Sequence, residues 1–307
     1  MASATRDARQ AFLSDDMTSL ETERLANFLR ASGATVHREL ELFGKRGSER
    51  GVFATAPIAK GELLLRLPRA AVMTACEDDD ECSWMPEEAR KTSPMLRVAL
   101  ALLREEGQGK ASRWHPYLST LPPEYDTLEH WSQAELAALE GTSVHDELSG
   151  LRDASGDLVG PARVLYDKSI APVVRAGPLH WPDPSLSAFL RGCAAVRTRG
   201  FYDTADGGGG PYMLPAIDML NHARKGTATS LVVERGGAGD GGKGDGGKAA
   251  SKATGKAAKK LTAAEQAAAE KLLVFSMHAE RDIAAGEEIT HTYDQFDNAQ
   301  LVSATGR

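Results

Sequence analysis

The sequence is poor in cysteine. Its three cysteines, Cys76, Cys82 and Cys193, form an odd number and contain no CxxC spacing. They therefore predict neither a disulfide framework nor a closed zinc site. The histidines also lack the spacing of metal ligands, so we expect no metal. A reducing compartment fits this cysteine usage best.

Long apolar runs are also absent. No stretch approaches the roughly 18 apolar residues that a membrane span requires, so we expect no association with a membrane. The first residues lack the apolar core of a secretory signal, and Asp7, Asp15 and Asp16 do not fit a typical organelle transit peptide. The cytoplasm is the default expectation for localisation, with the plastid and the nucleus left open.

Acidic residues outnumber basic residues outside one segment rich in lysine. The 307-residue chain has a net charge of −7, although residues 236–260 hold six lysines against two aspartates. The rest of the chain is therefore more acidic than the total suggests, and we expect no nucleic-acid partner. Hydrophobic residues at 42% and charged residues at 26% are typical of a globular protein, and the length allows two lobes.

Apolar periodicity predicts helices in the first and middle parts of the chain. A lead-in helix is predicted over residues 17–32, and the spacing between residues 85 and 200 is mainly helical. The middle of the chain is therefore predicted to form a helical lobe. Its helices are predicted at residues 95–106, after a capping box of Ser132 and Glu135, and at residues 184–199.

Short β-like runs precede this lobe in the sequence. Residues 51–55 and 62–68 predict two strands of one small sheet, separated by turn residues.

Residues 236–260 are rich in glycine and lysine and cannot bury enough apolar surface to offset the entropy of ordering. They predict a disordered loop, with a lysine-rich docking tail as the alternative, that leads into a helix near residues 262–271.

A short internal repeat relates the two ends of the chain. Residues 54–64 and 279–289 match at Ala, Ile, Ala, Gly and Glu with an offset of 225 residues. In each copy the Ile is predicted to enter the core, and the Gly can adopt a left-handed turn conformation. The copies could be two ordinary hairpins that merely look alike. The repeat also suggests β segments from both chain ends joined in one module.

Two sequence blocks carry a family resemblance. Residues 215–222, PAIDMLNH, are followed by residues 286–293, GEEITHTY, with Tyr293 placed 72 residues after Asn221. These blocks resemble the motifs of the SET-domain protein methyltransferases. Within that family the chain is similar to the branch with a large helical insertion, which includes the Rubisco large-subunit lysine methyltransferases and the actin-histidine methyltransferase. Further stretches similar to this branch are residues 112–127, 131–142 and 196–199.

The resemblance implies an α+β fold, in which a β-rich SET fold of short strands contains a large inserted helical lobe. It also implies S-adenosyl-L-methionine as the methyl donor and a protein as the substrate, and we expect a monomer. The expected divisions are a lead-in at 1–34, the first half of the SET domain at 35–84, the inserted lobe at 85–200 and the second half at 201–307.

The activity implied by the resemblance is methyl transfer to a nitrogen of a protein side chain, with lysine as the first expectation. Histidine is an alternative, because residues 123–127 and 298–301 are similar to the actin-directed enzyme. An imidazole would also avoid most of the cost of deprotonating a lysine at pH 7, which is about 4–5 kcal/mol. A non-catalytic SET-like module that binds a protein partner is the other alternative.

The resemblance assigns roles to residues of the two blocks. Tyr293 matches the active-site tyrosine, whose oxygen lies beside the transferring methyl and the acceptor nitrogen. Asn221 and His222 match the pair that holds the amino-acid and adenine parts of the donor, for which an amide offers both a hydrogen-bond donor and an acceptor. Asp218 is a further candidate for cofactor binding, with support of the chain bend as its alternative role.

Other cofactor-binding candidates lie outside these blocks. Gly51, Val52 and Phe53 occupy the donor-binding turn of the family, although Arg50 stands where the family has its Gly-x-Gly form, which weakens the argument from glycine. Arg199 matches an arginine near the donor's carboxylate, where a guanidinium suits the charge. A surface arginine that ends a helix is the alternative for Arg199.

The printed sequence ends at Arg307, where the family's segment would continue into an aromatic residue and a helical substrate-binding domain. If the chain is the whole molecule, the channel would lack one wall. We would then expect weak donor binding and poor recognition of a protein substrate, because methyl transfer needs a dry, preorganised site. The alternative is a compact family member whose helical insertion recognises the substrate alone.

Overall fold

The part of the chain that can be described covers most of both predicted lobes. The computed structural model describes residues 19–46, 49–74, 84–85, 87–128, 131–145, 163–164, 166–172, 185–203, 209–223, 225–234 and 273–293. The predictions of a loop at 236–260 and of a helix at 262–271 lie outside these residues. The segment after residue 293, on which the expectation about the channel wall rests, also lies outside them.

Local capping signals place the helices. Ser185 accepts a hydrogen bond from the backbone of Ala188 at 3.1 Å, and Ser132 and Glu135 form the predicted capping box. These contacts satisfy backbone donors that the first turn leaves unpaired. The four predicted helices are confirmed. The helices are α1 (Ser19–Ala31), α2 (Glu87–Arg90), α3 (Pro94–Gly107), α4 (His115–Leu118), α5 (Gln133–Ala137) and α6 (Leu186–Arg199).

The strands of the described residues form three small sheets. They are β1 (Thr35–Val36), β2 (Leu40–Arg46), β3 (Glu49–Ala54), β4 (Leu63–Pro68), β5 (Met73–Thr74), β6 (Gly200–Asp203), β7 (Gly209–Met213), β8 (Asn221–His222), β9 (Thr229–Glu234), β10 (Val274–Ala279) and β11 (Glu288–His291). The sheet orders are β1-β4-β10-β9, β2-β3-β11-β8 and β5-β7-β6. The strands that flank the helical region in sequence are therefore interleaved, which confirms the predicted α+β class.

The prediction that residues 51–55 and 62–68 share one sheet is wrong. β3 lies between β2 and β11, whereas β4 lies between β1 and β10, so the two strands belong to different sheets. The reason is that the two copies of the repeat exchange partners. The backbone N–H of Ala54 donates to Glu287 at 2.9 Å, and that of Ala279 donates to Glu62 at 3.0 Å. Each copy thus completes the other's turn.

A continuous hydrophobic core joins the helices to the sheets. α3 and α6 pack against each other, and α3 also contacts β7. The ring of Trp114 lies 5.3 Å from that of Phe28, so the helical lobe is anchored on α1. Within the described residues, no helix is both long and apolar enough to cross a membrane. The same residues contain no group of three His, Cys, Asp or Glu side chains that could hold a metal ion.

Candidate active site

Parallel pairing of two short strands brings the two sequence blocks together. In the ladder between β8 and β11, Thr290 pairs with Asn221 and His291 pairs with His222. The backbone N–H of Ala223 also donates to the carbonyl of His291 at 3.0 Å. Since paired residues of neighbouring strands lie side by side, the Asn-His pair and the segment leading to Tyr293 form one site.

The amide of Asn221 has a fixed orientation. Its Nδ2 donates to the carbonyl oxygen of Arg50 and to Oε1 of Glu288, both at 2.7 Å. Because both partners are acceptors, the NH₂ group must face them, and its two protons are used there. The amide oxygen Oδ1 is therefore left on the opposite side as a hydrogen-bond acceptor.

Gly51 lies close to the side chains of Glu288 and Asn221. A Cβ atom at residue 51 would lie 2.5 Å from Oε1 of Glu288 and 3.1 Å from Nδ2 of Asn221. A side chain at residue 51 would therefore displace the end of the Glu288 side chain, which holds the amide of Asn221. The side chains of Val52 and Phe53 are buried in the core, so a contact between either residue and a ligand would have to use the backbone.

The hydroxyl of Tyr293 is also held in one direction. It donates to the carbonyl oxygen of Leu220 at 2.7 Å, so its proton is used there and the oxygen can act toward any other group only as an acceptor. The backbone N–H of Tyr293 donates to Nδ1 of His222 at 3.0 Å, and the two rings lie 5.2 Å apart. His222, a member of the predicted cofactor-binding pair, is therefore in direct contact with Tyr293, the predicted catalytic tyrosine.

His291 is a buried, uncharged neighbour of Tyr293. Its side chain is 5% exposed, and its ring stacks on Phe201 with 5.4 Å between the centroids and lies 4.9 Å from the ring of Tyr293. Burial lowers the pKa of His291 to about 4, and the nearby His222 acts in the same direction. The imidazole is therefore neutral at physiological pH, and the ring behaves as part of an aromatic cluster.

A buried polar network supports the bend before Asn221. Nη1 of Arg199 lies 3.0 Å from the carbonyl oxygen of Asp218 and 3.5 Å from its Oδ2, and the hydroxyl of Tyr117 donates to Oδ2 at 2.9 Å. Burial raises the pKa of Asp218, although Arg199 and the hydrogen bond from Tyr117 act in the opposite direction. Because the carboxylate is fully buried, the structure favours the alternative role of Asp218, support of the bend.

The bend itself has an unusual backbone. Ala216 has a φ of 72°, in the left-handed region where a residue with a Cβ is disfavoured. Such conformations cost about 1–3 kcal/mol and persist when the surrounding structure holds them in place. Ala216 precedes the 3₁₀ turn Ile217–Met219, and the backbone N–H of Asp218 donates to Leu214 at 2.9 Å. The strained turn therefore sits directly before the Asn-His strand.

Three parts of the site were missed by the sequence analysis: Glu288, Tyr117 and the carbonyl of Leu220. Glu288 lies inside the block of residues 286–293, and Tyr117 lies inside the family-like stretch of residues 112–127. The sequence signal was thus present for both side chains, but their roles depend on contacts across 67 and 101 residues respectively. Nothing in the sequence marks a particular carbonyl group as an acceptor.

The chain is similar in sequence to known protein methyltransferases. The chain is 32% identical over 131 residues to the actin-histidine N-methyltransferase of Drosophila melanogaster, covering 42% of this chain and 24% of that protein. It is 30% identical over 223 residues to the N-lysine methyltransferase SETD6 of Rattus norvegicus, covering 66% and 44%. The chain therefore spans less than half the length of these relatives.

A plant methyltransferase and the solved structure of a SET domain are also similar to this chain. The chloroplastic ribulose-1,5-bisphosphate carboxylase/oxygenase large subunit N-methyltransferase of Nicotiana tabacum is 26% identical over 196 residues, covering 62% of this chain and 36% of that protein. The crystal structure of the SET domain of LSMT bound to lysine and AdoHcy superposes with a TM-score of 0.65 at 20% identity. It covers 95% of this chain and 58% of that one.

A family model decides the assignment. The model described as the SET domain matches residues 49–294, well over half of the chain. The match begins in β3 and ends just after Tyr293, so it includes both sequence blocks and the helical lobe between them. The chain belongs to the SET domain family.

Proposed function

We propose that this chain transfers a methyl group from S-adenosyl-L-methionine to the side-chain nitrogen of a lysine in a protein substrate. The observation that supports the proposal most directly is that the hydroxyl of Tyr293 donates to the carbonyl of Leu220, the residue before Asn221, whose amide is itself held by Glu288. Membership of the SET domain family and the lysine methyltransferases among the relatives support the same reaction.

The residues on the donor side suit the amino-acid part of S-adenosylmethionine, which carries an ammonium and a carboxylate. Oδ1 of Asn221 can accept a hydrogen bond from the ammonium. The contacts of Arg199 with Asp218 use Nη1, and the guanidinium has further N–H donors on Nη2 and Nε for the carboxylate. When bound, the donor supplies an electrophilic methyl group on a sulfonium.

The residues on the acceptor side suit a nitrogen that must be aligned with that methyl group. The oxygen of Tyr293 can accept a hydrogen bond from the incoming amine and weak CH···O contacts from the methyl group. A lysine must first lose its proton, which costs about 4–5 kcal/mol at pH 7. Geometry and exclusion of water are therefore the main contributions that this chain would make to the rate.

Histidine remains a second candidate acceptor, because the relative at 32% identity is an actin-histidine enzyme. Mass spectrometry separates the two. A lysate treated with the protein and isotopically labelled S-adenosylmethionine should yield peptides that carry the label on lysine. Label on a histidine instead would assign the second acceptor.

Titration calorimetry tests the enzymatic proposal against a non-catalytic protein-binding module. S-adenosylmethionine should release heat on binding, and S-adenosylhomocysteine should compete with it. No binding of either compound, together with no label transferred in the lysate, would contradict both enzymatic functions and favour the binding module.

A further inference from the structure

A hydrogen bond from Tyr117 connects the inserted helical lobe to the bend of the candidate active site, in addition to the contacts of Arg199. Tyr117 lies on α4 and is fully buried, and its hydroxyl donates to Oδ2 of Asp218 at 2.9 Å. The two residues are 101 positions apart in the sequence. Burial raises the pKa of Tyr117 well above its usual value, so the hydroxyl keeps its proton and remains a donor.

Asp218 passes this contact on to the rest of the site. Its carboxylate and its carbonyl both lie near Nη1 of Arg199, the residue proposed to hold the donor's carboxylate. Its backbone belongs to the 3₁₀ turn that follows Ala216, whose φ is 72°. A residue with a Cβ stays in that conformation only where its surroundings hold it. Asp218 therefore helps to hold both Arg199 and the strained turn in position.

The 3₁₀ turn also positions two groups of the candidate active site, the carbonyl of Leu220 and the amide of Asn221. Leu220, directly after the turn, supplies the carbonyl that accepts the hydroxyl of Tyr293 at 2.7 Å. Asn221 is the next residue, and its amide reaches Arg50 and Glu288. A small shift of the turn would therefore move Asn221, which is proposed to bind the methyl donor, together with Tyr293, which is proposed to align the acceptor nitrogen.

We propose that Tyr117 is a positioning residue for methyl transfer, acting through Asp218 on Arg199, Asn221 and Tyr293. The inference rests on the proposed function, because it assigns Tyr117 a role in that same site. The helical lobe is then part of the active-site framework, in addition to being a candidate surface for the substrate.

Tyr117→Phe tests the proposal, because it keeps the buried ring and removes only the hydroxyl. Tyr166→Phe is a matched control, since Tyr166 is also buried in the lobe, where its ring packs 5.6 Å from that of Phe189. We expect Tyr117→Phe to raise the Kd for S-adenosylmethionine at least tenfold and to lower the single-turnover rate at saturating donor. Tyr166→Phe should stay within twofold of the wild type on both measures.

All affinities are measured by calorimetry below the melting transition, where circular dichroism shows each variant to be folded. A role confined to stability would lower the melting temperature of Tyr117→Phe but leave the Kd of the folded protein unchanged, and that result would overturn the proposal. If Tyr117→Phe does not fold, Asp218→Asn keeps the shape and removes the charge that pairs with Arg199. The same rise in Kd is expected for Asp218→Asn, and a wild-type Kd would overturn the proposal.

The outcomes separate this proposal from the proposed function. A wild-type protein that does not bind S-adenosylmethionine contradicts both. A wild-type protein that binds the donor, with a folded Tyr117→Phe variant that binds and reacts equally well, contradicts only the positioning role.

Discussion

Ile58 and Ile283 donate backbone hydrogen bonds to each other, at 3.0 Å and 2.9 Å. They are 225 residues apart and occupy the same position in the two copies of the internal repeat. Both side chains are buried, so the pair forms a small two-fold joint between the ends of the described chain. The joint fixes β3 against β11, and thereby Gly51 against Glu288 and Asn221.

Tyr293→Phe should slow the chemical step and leave donor affinity nearly intact. The ring stays against His222, but the oxygen that aligns the acceptor is lost. We expect single-turnover methylation to fall at least about tenfold, which corresponds to about 1.4 kcal/mol of transition-state stabilisation. Tyr166→Phe, on a buried ring of the lobe, is the control. Unchanged turnover for Tyr293→Phe would refute the catalytic role.

Asn221→Ala should weaken binding of S-adenosylmethionine. The change removes Oδ1 and leaves the carbonyl of Arg50 and the carboxylate of Glu288 without their shared partner. A loss of about 1–3 kcal/mol in binding free energy is expected. Calorimetry measures it, and the thermal shift caused by the donor should shrink in parallel. Asn27→Ala removes an exposed amide on α1 and serves as the control; equal donor affinity in both variants would move the binding site elsewhere.

Gly51→Ala should also reduce donor affinity, through crowding. The new Cβ would meet Glu288 at 2.5 Å, so the carboxylate and the amide of Asn221 would have to move. Because the end of the Glu288 side chain can move, the expected effect is a displaced Asn221 amide with little loss of folding stability. Gly192→Ala is a useful contrast, because its Cβ would meet Leu103 at 2.8 Å inside the helical lobe. It should lower the melting temperature without the loss of donor affinity, and the reverse pattern would contradict the role assigned to Gly51.

His291 predicts a loss of stability in acid. Its pKa is lowered to about 4 in the folded chain, whereas an unfolded histidine titrates near 6.5. As the pH falls from about 6.5 to about 4, the unfolded chain binds a proton that the folded chain does not bind. The free energy of unfolding should therefore decrease across that window by about 3 kcal/mol, with the contribution intact above it and no further loss below it.

Denaturant unfolding between pH 7 and pH 4.5 measures this effect. The His291→Leu variant should lose less stability over that range than the wild type, because the leucine does not titrate. Met277→Leu, a change at a buried position that does not titrate, should retain the wild-type slope. Parallel slopes for the wild type and His291→Leu would show that the buried imidazole does not control the response to acid.

Replacement of residues 236–260 by a short Gly-Ser turn should leave the fold intact. Glu234 and Val274 form the last pair of the antiparallel ladder between β9 and β10, so the two strand ends already lie side by side. Shortening the connection changes its closure entropy by about 1 kcal/mol. Calorimetry should give a melting temperature within a few degrees of the wild type. A scrambled segment of the same composition is the control, and a large loss of stability or solubility on replacement would contradict the prediction.

Local signals in the sequence were enough to predict the helices. The capping box of Ser132 and Glu135 acts within one turn, and the apolar periodicity of α3 and α6 reports one buried face. The two family blocks likewise located Asn221 and Tyr293, because their order and spacing are specific. What could be predicted was therefore either contained in a short stretch or carried by a recognisable motif.

The expected joining of β segments from the two chain ends is confirmed, but the order in which the strands pair could not be predicted. The repeat of residues 54–64 and 279–289 was visible, but alternating side chains do not state which strand is the partner. The exchange that places β3 beside β11 therefore needed the structure. The link between Tyr117 and Asp218 was hidden for the same reason, since a buried hydroxyl and a carboxylate find each other only after both lobes have packed.

The order of the strands has a consequence for synthesis. β10 and β11 are inner strands of the two four-stranded sheets, and both come from residues 273–293. While these residues remain inside the ribosome, β3 and β4 each present an open edge, and β8 and β9 lack the strand they pair with. Unpaired edges favour association between chains. The nascent protein is therefore expected to need protection from a chaperone until β10 and β11 emerge and close both sheets.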